Sequence, residues 1–211
     1  MPLWRPCRVF PDSDIFIIGG GTSLRGFDFS LLADQITIGC NSAFKLGPDV
    51  CKIVFFSDIE WFNENKDLLK EFEGDVFTHC HALVNFSYKN TWLKTMRREK
   101  RGLHTHALGM NGNSGCGAVN LALIMGAKRV FLLGCDCKVT GNKETHWHDY
   151  YTRPANLDVF PKFLAGWNEV HNALPKVFPG TEIINLGPDS DIPFFRKADY
   201  KEYLSHAENH A

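Results

Sequence analysis

Short apolar runs, each ended by glycine or a small polar residue, punctuate the chain. Asp14–Ile18 breaks at Gly19-Gly20-Gly21, Gln35–Ile38 at Gly39-Cys40-Asn41, and Lys52–Phe56 at Ser57-Asp58. Arg129–Leu133 breaks at Gly134-Cys135-Asp136, and Glu182–Ile184 at Asn185-Leu186-Gly187-Pro188. Runs that are apolar at successive positions fit strands buried on both faces of a parallel sheet. Asp75–Thr78 is a further strand candidate.

Between these runs the period lengthens. A helix is expected over Ile59–Phe72, with Trp61, Phe62, Leu68, Leu69 and Phe72 apolar and Gly74 as its stop. Asn113 or Ser114 can cap a helix that runs to Met125 and stops at Gly126. Val159–Val177 reads as a helix with Pro161 in its first turn and Pro175 near its end. Tyr200–His206 is expected as a terminal helix, whereas His79–Met110 shows no readable period. Strand–loop–helix alternation predicts an α/β fold: one domain over residues 1–211, built on a Rossmann-like parallel sheet with helices on both faces. In such sheets ligands bind beyond the carboxyl ends of the strands, near the topological switch point.

Composition narrows the picture. Of 211 residues 44% are hydrophobic, enough for a core, and the net charge of -1 gives no support to nucleic-acid binding, which needs a broad basic surface. The one basic run, Lys94–Arg101, is either a solvated face or a local anion contact. No apolar stretch approaches the roughly 18 residues of a membrane span. Met1–Arg8 lacks the apolar core of a signal peptide. The seven cysteines are odd in number and form no C-x-x-C pair, which suits reduced thiols. Together these features predict a cytoplasmic protein.

The candidate chemistry gathers after the strands. Gly19, Gly20, Gly21, Thr22 and Ser23 form either a tight turn or a loop that lets backbone N–H groups approach a phosphate; the spacing is not G-x-G-x-x-G and no Walker lysine follows. Asn41 and Ser42 could hydrogen-bond a base or ribose, or could simply turn the chain. The loop Gly109–Gly117, with Asn113, Ser114 and Gly115, opens onto a helix N-terminus, suited to an anion, to close helix–sheet packing, or to both. Beyond Asp136, Thr145–Tyr151 brings His146, His148, Asp149, Tyr150 and Tyr151 together, as a general base with phosphate-binding phenols or as a structural cluster. Three His-x-His pairs, His79/His81, His104/His106 and His146/His148, raise a metal site completed by Asp58, Asp136, Cys135 or Cys137, although no zinc spacing is matched.

The order of these motifs resembles the bacterial sialyltransferases of glycosyltransferase family 42. It also resembles a broader group of phage and bacterial proteins that includes archaeal 6-hydroxymethylpterin diphosphokinase. The resemblance rests on Ile17–Leu24, Ile38–Ser42, Asn113–Leu123, Val130–Asp136 and Ile183–Pro188, which together span most of the chain. It implies a transferase using a nucleotide-sugar donor without a required metal. Gly20, Ser23, Asn41 and Ser114 would contact the nucleotide. His146 or His148 would be the general base, with Tyr150 and Tyr151 stabilising the departing phosphate, and Asp136 fixing the nucleoside or sugar. It further implies assembly into a homo-oligomer. Only nine residues separate Asp136 from His146, and the tyrosines follow the histidine instead of preceding it, so the family's lid is expected to be reduced or absent. The alternatives are a magnesium-dependent diphosphokinase with Asp58 and Asp136 as ligands, and a nucleotide-binding phage accessory protein without catalysis.

Overall fold

The computed structural model describes residues 3–5, 7–138, 144–150 and 157–204. Its first half contains β1 (Ser13–Ile18), β2 (Ile36–Cys40), β3 (Ile53–Phe56), α1 (Ile59–Lys70), β4 (Asp75–Thr78), α2 (Val84–Lys89) and β5 (Leu93–Thr95). There follow β6 (Arg98–Glu99), β7 (Leu108–Gly109), α3 (Ser114–Met125), β8 (Ala127–Leu133), α4 (Phe160–Val177), β9 (Glu182–Asn185) and β10 (Arg196–Lys197). The main sheet runs β10-β9-β8-β1-β2-β3-β4-β5, and all its pairings are parallel. From β1 the chain builds outward to β5, then returns to the other side of β1 with β8 and builds outward to β10. The order therefore reverses between β1 and β8. Loops leaving these two strands diverge, and a crevice opens at their carboxyl ends.

The unbroken apolar runs follow from burial on both faces. Ile15 and Ile17 of β1 share one face with Val130 and Leu132 of β8, under Val119 and Leu123 of α3 and Trp167 and Val170 of α4. Phe16 and Ile18 turn to the other face with Phe131 and Leu133, against Leu24, Leu32 and Leu204. Phe16 and Phe131 stack with ring centroids 4.7 Å apart. Each such ring, fully buried, contributes about 1.5–3 kcal/mol. Further along that second face α1 seats Trp61, Phe62 and Leu69 on Val54, Phe56 and Val76. Helices thus cover both faces, as the alternation predicts.

The helix ends follow their local chemistry. Asp58 caps α1 by accepting from the Trp61 amide at 2.8 Å. Asn113 caps α3 by accepting from the Cys116 amide at 2.8 Å. Gly126 closes α3 at φ +107°, where an L side chain is strained. Pro161 lies in the first turn of α4 and Pro175 near its end. Some boundaries differ from expectation. α1 ends at Lys70, not Phe72, because the Phe72 amide tightens back onto the Leu69 carbonyl at 3.3 Å. Near the C-terminus, Tyr200–Glu202 is a single 3-10 turn held by an Asp199/Glu202 capping box. Tyr203 and Leu204 are not helical, so the expected terminal helix shrinks to that turn, and residues 205–206 lie outside the described residues. The stretch without a readable period holds α2 and the short strands β5, β6 and β7. In the basic run, Lys94 pairs with Asp75 and Arg97 with Glu99, which fits a solvated, ion-paired edge. Among the described residues no helix is long and apolar enough to cross a membrane.

Candidate functional site

The crevice between β1 and β8 widens into a cleft of about 580 Å³ along the carboxyl ends of the strands. Its floor is laid by Gly19, Gly20 and Gly21 after β1, Cys40 and Asn41 after β2, Ser57 and Asp58 after β3, and Gly134–Lys138 after β8. The N-terminus of α3 (Asn113, Ser114, Gly115), the first turns of α4 (Phe160, Lys162, Phe163, Trp167) and His146 form its walls. One wall is therefore aromatic, and the floor is polar.

The glycine loop after β1 is tightly backed. A Cβ on Gly19 would lie 2.4 Å from the Gly134 carbonyl oxygen, one on Gly20 2.8 Å from His146 Cδ2, and one on Gly21 2.4 Å from an Asp136 carboxylate oxygen. Asp136, almost fully buried, accepts from the Ser23 amide at 2.8 Å on Oδ2 and from the Ser23 hydroxyl at 2.6 Å on Oδ1. Its two oxygens thus tie the end of β8 to the loop after β1. A second brace comes from Trp147, whose amide donates to the Gly20 carbonyl at 3.0 Å and whose indole N–H donates to the Gly19 carbonyl at 3.2 Å.

Asn41, Ser57 and Ser114 meet across the floor. The Ser114 hydroxyl lies 3.2 Å from Asn41 Oδ1 and 3.3 Å from Ser57 Oγ. Asn41 adopts φ +50°, a left-handed conformation that asparagine tolerates, and this turns its amide into the cleft. With the Asn113 cap aimed at Cys116, the Ser114 and Gly115 amides at the start of α3 have no intrahelical acceptor.

His146 is the histidine of the Thr145–Tyr151 cluster that faces this space. Its ring lies over Gly20, and its Nδ1 is 2.7 Å from the Thr145 hydroxyl. Burial lowers its pKa below the ordinary 6.5, so the ring is neutral near pH 7. His148 stacks 5.5 Å behind it and is pushed down to about 4, chiefly by burial and then by His146. Neither His148 nor Tyr150 lines the cleft. Tyr150 is exposed, stacked 4.6 Å from His148 and overlain by Lys45 at 4.5 Å. Tyr151 lies outside the described residues.

The structure thus brings Gly19, Gly20, Gly21, Asn41, Asp58, Asn113, Ser114, Gly115, Asp136 and His146 to one cleft. It does not bring Thr22, Ser23 or Ser42 to its lining. Ser23 serves Asp136, and Ser42 is buried, accepting from the Trp61 indole at 3.3 Å. Sequence reasoning missed Ser57, which follows β3 as Asn41 follows β2, and the wall Phe160/Lys162/Phe163/Trp167. Two residues of the unreadable stretch, His79 and Met110, border the cleft. Burial lowers the His79 pKa, and its Nδ1 has no hydrogen-bond partner among the described residues. The His-x-His pairs acquire no metal-binding companions: among the described residues no three histidine, cysteine or carboxylate side chains are grouped to hold an ion. Cys40, Cys135 and Cys137 line the floor as thiols, the first and last pushed up to about 12 by burial. The Cys135 thiol is likewise raised well above its ordinary value by burial.

An all-parallel sheet whose order reverses above such a cleft is a Rossmann-like α/β arrangement. Its likeness to solved structures agrees. The chain is similar to the sialyltransferase CstII from Campylobacter jejuni in complex with the substrate analogue CMP-3FNeuAc, at 17% identity and a TM-score of 0.53, over 94% of this chain and 93% of that one. Against the same enzyme with cytidine-5'-monophosphate the identity is 18% and the TM-score 0.57, over 93% and 88%. The MAf glycosyltransferase from Magnetospirillum magneticum AMB-1 gives a TM-score of 0.65 at 12% identity, over 94% of this chain but 35% of that one. At these identities the likeness is one of fold. No protein-family model and no curated protein sequence matches the chain.

Proposed function

We propose that this protein is a glycosyltransferase that takes its sugar from a nucleotide-sugar donor, with His146 as general base. The observation that carries the reading is the His146 ring held over Gly20 at the switch point, its pKa lowered by burial. The fold shared with two glycosyltransferases, one of them bound to a CMP-sugar analogue, supports it. For His146 to act as a base, Nδ1–H must donate to the Thr145 hydroxyl, which makes Nε2 the proton acceptor. Nε2 then removes the proton from an acceptor hydroxyl. The acceptor oxygen bonds to the anomeric carbon, and the bond from that carbon to the donor phosphate breaks, its electron pair leaving with the phosphate. The Ser114 and Gly115 amides would meet that developing charge, and Asn41, bonded to Ser114, would hold the nucleoside.

The reading takes no metal in this step. The two carboxylates of the cleft already have donors, Asp58 the Trp61 amide and Asp136 the Ser23 amide and hydroxyl. That commitment favours sugar transfer over a magnesium-dependent phosphotransfer relying on the same two side chains.

The test is turnover of a panel of CMP-, UDP- and GDP-sugars, with nucleotide release followed in the wild type and in His146→Gln. Loss of the base should lower kcat about 10²–10⁴-fold, with affinity for the free nucleotide unchanged. Turnover within a few-fold of wild type in His146→Gln would remove histidine from the role. Strict dependence on magnesium, with ATP as the stabilising ligand, would replace the glycosyltransferase reading with the phosphotransferase one.

A further inference from the structure

Lys162 is an exposed lysine on the lining of the cleft, near two helix N-termini. It is the third residue of α4, whose N-terminus carries no side-chain cap, and helix N-termini are themselves partially positive. Its alkyl chain lies along Gly112, where an added Cβ would meet Lys162 Cε at 3.2 Å and Cγ at 3.3 Å. Gly112 sits immediately before the Asn113 cap, so Lys162 also approaches the positive end of α3. No carboxylate among the described residues pairs with it. The other lysine of the cleft, Lys138, already donates to the Asp189 carbonyl at 2.5 Å. Two helix N-termini and a lysine that no described carboxylate pairs with thus line one wall of the cleft, while its carboxylates Asp58 and Asp136 accept from Trp61 and Ser23. An anion bound in the cleft would meet these groups on one wall.

We propose that Lys162 binds the phosphate of the donor and of the nucleotide product, supplying the countercharge as the phosphate departs. This rests on the nucleotide-sugar reading above. It assigns to an ammonium on α4 the task expected of phenols in the Thr145–Tyr151 cluster, whose described member Tyr150 is exposed and outside the cleft. No covalent step involves Lys162; it touches the leaving group through charge and hydrogen bonding alone.

The experiment compares each nucleotide with its nucleoside: CMP against cytidine, UMP against uridine and GMP against guanosine, by calorimetry in the wild type, Lys162→Met and Lys162→Arg. Methionine keeps an unbranched chain on Gly112 and deletes only the charge. The wild type should prefer the nucleotide. Lys162→Met should lose about tenfold or more of that preference, with nucleoside affinity unchanged, whereas Lys162→Arg retains it. The wild-type preference should also weaken with added salt, and less so in Lys162→Met. If Lys162→Met keeps the preference within twofold, the lysine assignment is wrong and the nucleotide reading stands. If the wild type binds neither nucleotides nor nucleosides, the nucleotide reading falls and takes this assignment with it.

Discussion

The loop after β1 and the loop before α3 are both rich in glycine, but the first is backed by the chain that follows β8, whereas Gly112 and Gly115 of the second are backed by side chains of α4. In Gly19–Ser23 each glycine leaves room for a neighbour: the Gly134 carbonyl, the His146 ring and the Asp136 carboxylate. The backbone there is largely engaged, Gly19 and Gly21 donating to Leu133 and Gly134 at 2.7 Å each and the carbonyls of Gly19 and Gly20 accepting from Trp147. In Gly112–Gly115 the chain instead turns at φ +81° and offers the first amides of α3 to the cleft. Similar composition therefore serves two ends: one loop is a seam joining β1 to β8, the other a donor surface.

Gly21→Ala should break this contrast most severely. Its methyl would fall on Asp136, displacing the carboxylate from Ser23, and the expected loss is about 1–3 kcal/mol or more in urea unfolding. A loss below about 0.5 kcal/mol would mean that the seam yields to the added methyl. Ser114→Ala probes the other loop. It should cost stability no more than about 1 kcal/mol but weaken nucleotide binding about fivefold, because the hydroxyl orients Asn41 and Ser57. Unchanged affinity with lowered stability would make both loops structural. The smallest effect concerns the segment that backs the seam. His148 titrates near 4 when folded and near 6.5 as a free side chain. Between those values the unfolded chain takes up a proton that the folded segment refuses. Stability should be level above pH 6.5 and decline as the pH is lowered toward 4. His148→Gln should flatten that decline by about 2 °C in Tm, a modest amount for a partly solvated group.

Legibility in the sequence tracks how each element is buried. β1, β3 and β8 announce themselves because both of their faces are covered. The six-residue α2 buries none of its residues and so has no apolar stripe to read, and β6 and β7 are two residues each, too short for any period. At the site, residues directly after a strand were legible as a set, since parallel topology delivers them to one edge. Ser42 is the instructive exception: Asn41 at φ +50° reorients the chain, so the next side chain enters the core beside Trp61. Phe160, Phe163 and Trp167 were hidden for the opposite reason. Their spacing of three and four matches an ordinary buried helix face, and only the position of α4 against Gly115 turns that face into a wall of the cleft.

The pairing of β1 with β8 also sets a schedule for making the molecule. Asp14 and its partner Arg129 are 115 residues apart, yet their strands lie side by side at the centre of the sheet. At about 5–20 residues per second on the ribosome, β1 waits on the order of ten seconds for that neighbour. Until β8 arrives, the apolar edge Ile15–Ile18 is bare, a template for pairing with another chain. The step that covers this edge also brings Gly134 and Asp136 up to the glycine loop, so the cleft is assembled late, and a chain truncated before β8 would carry both an unprotected edge and half a site.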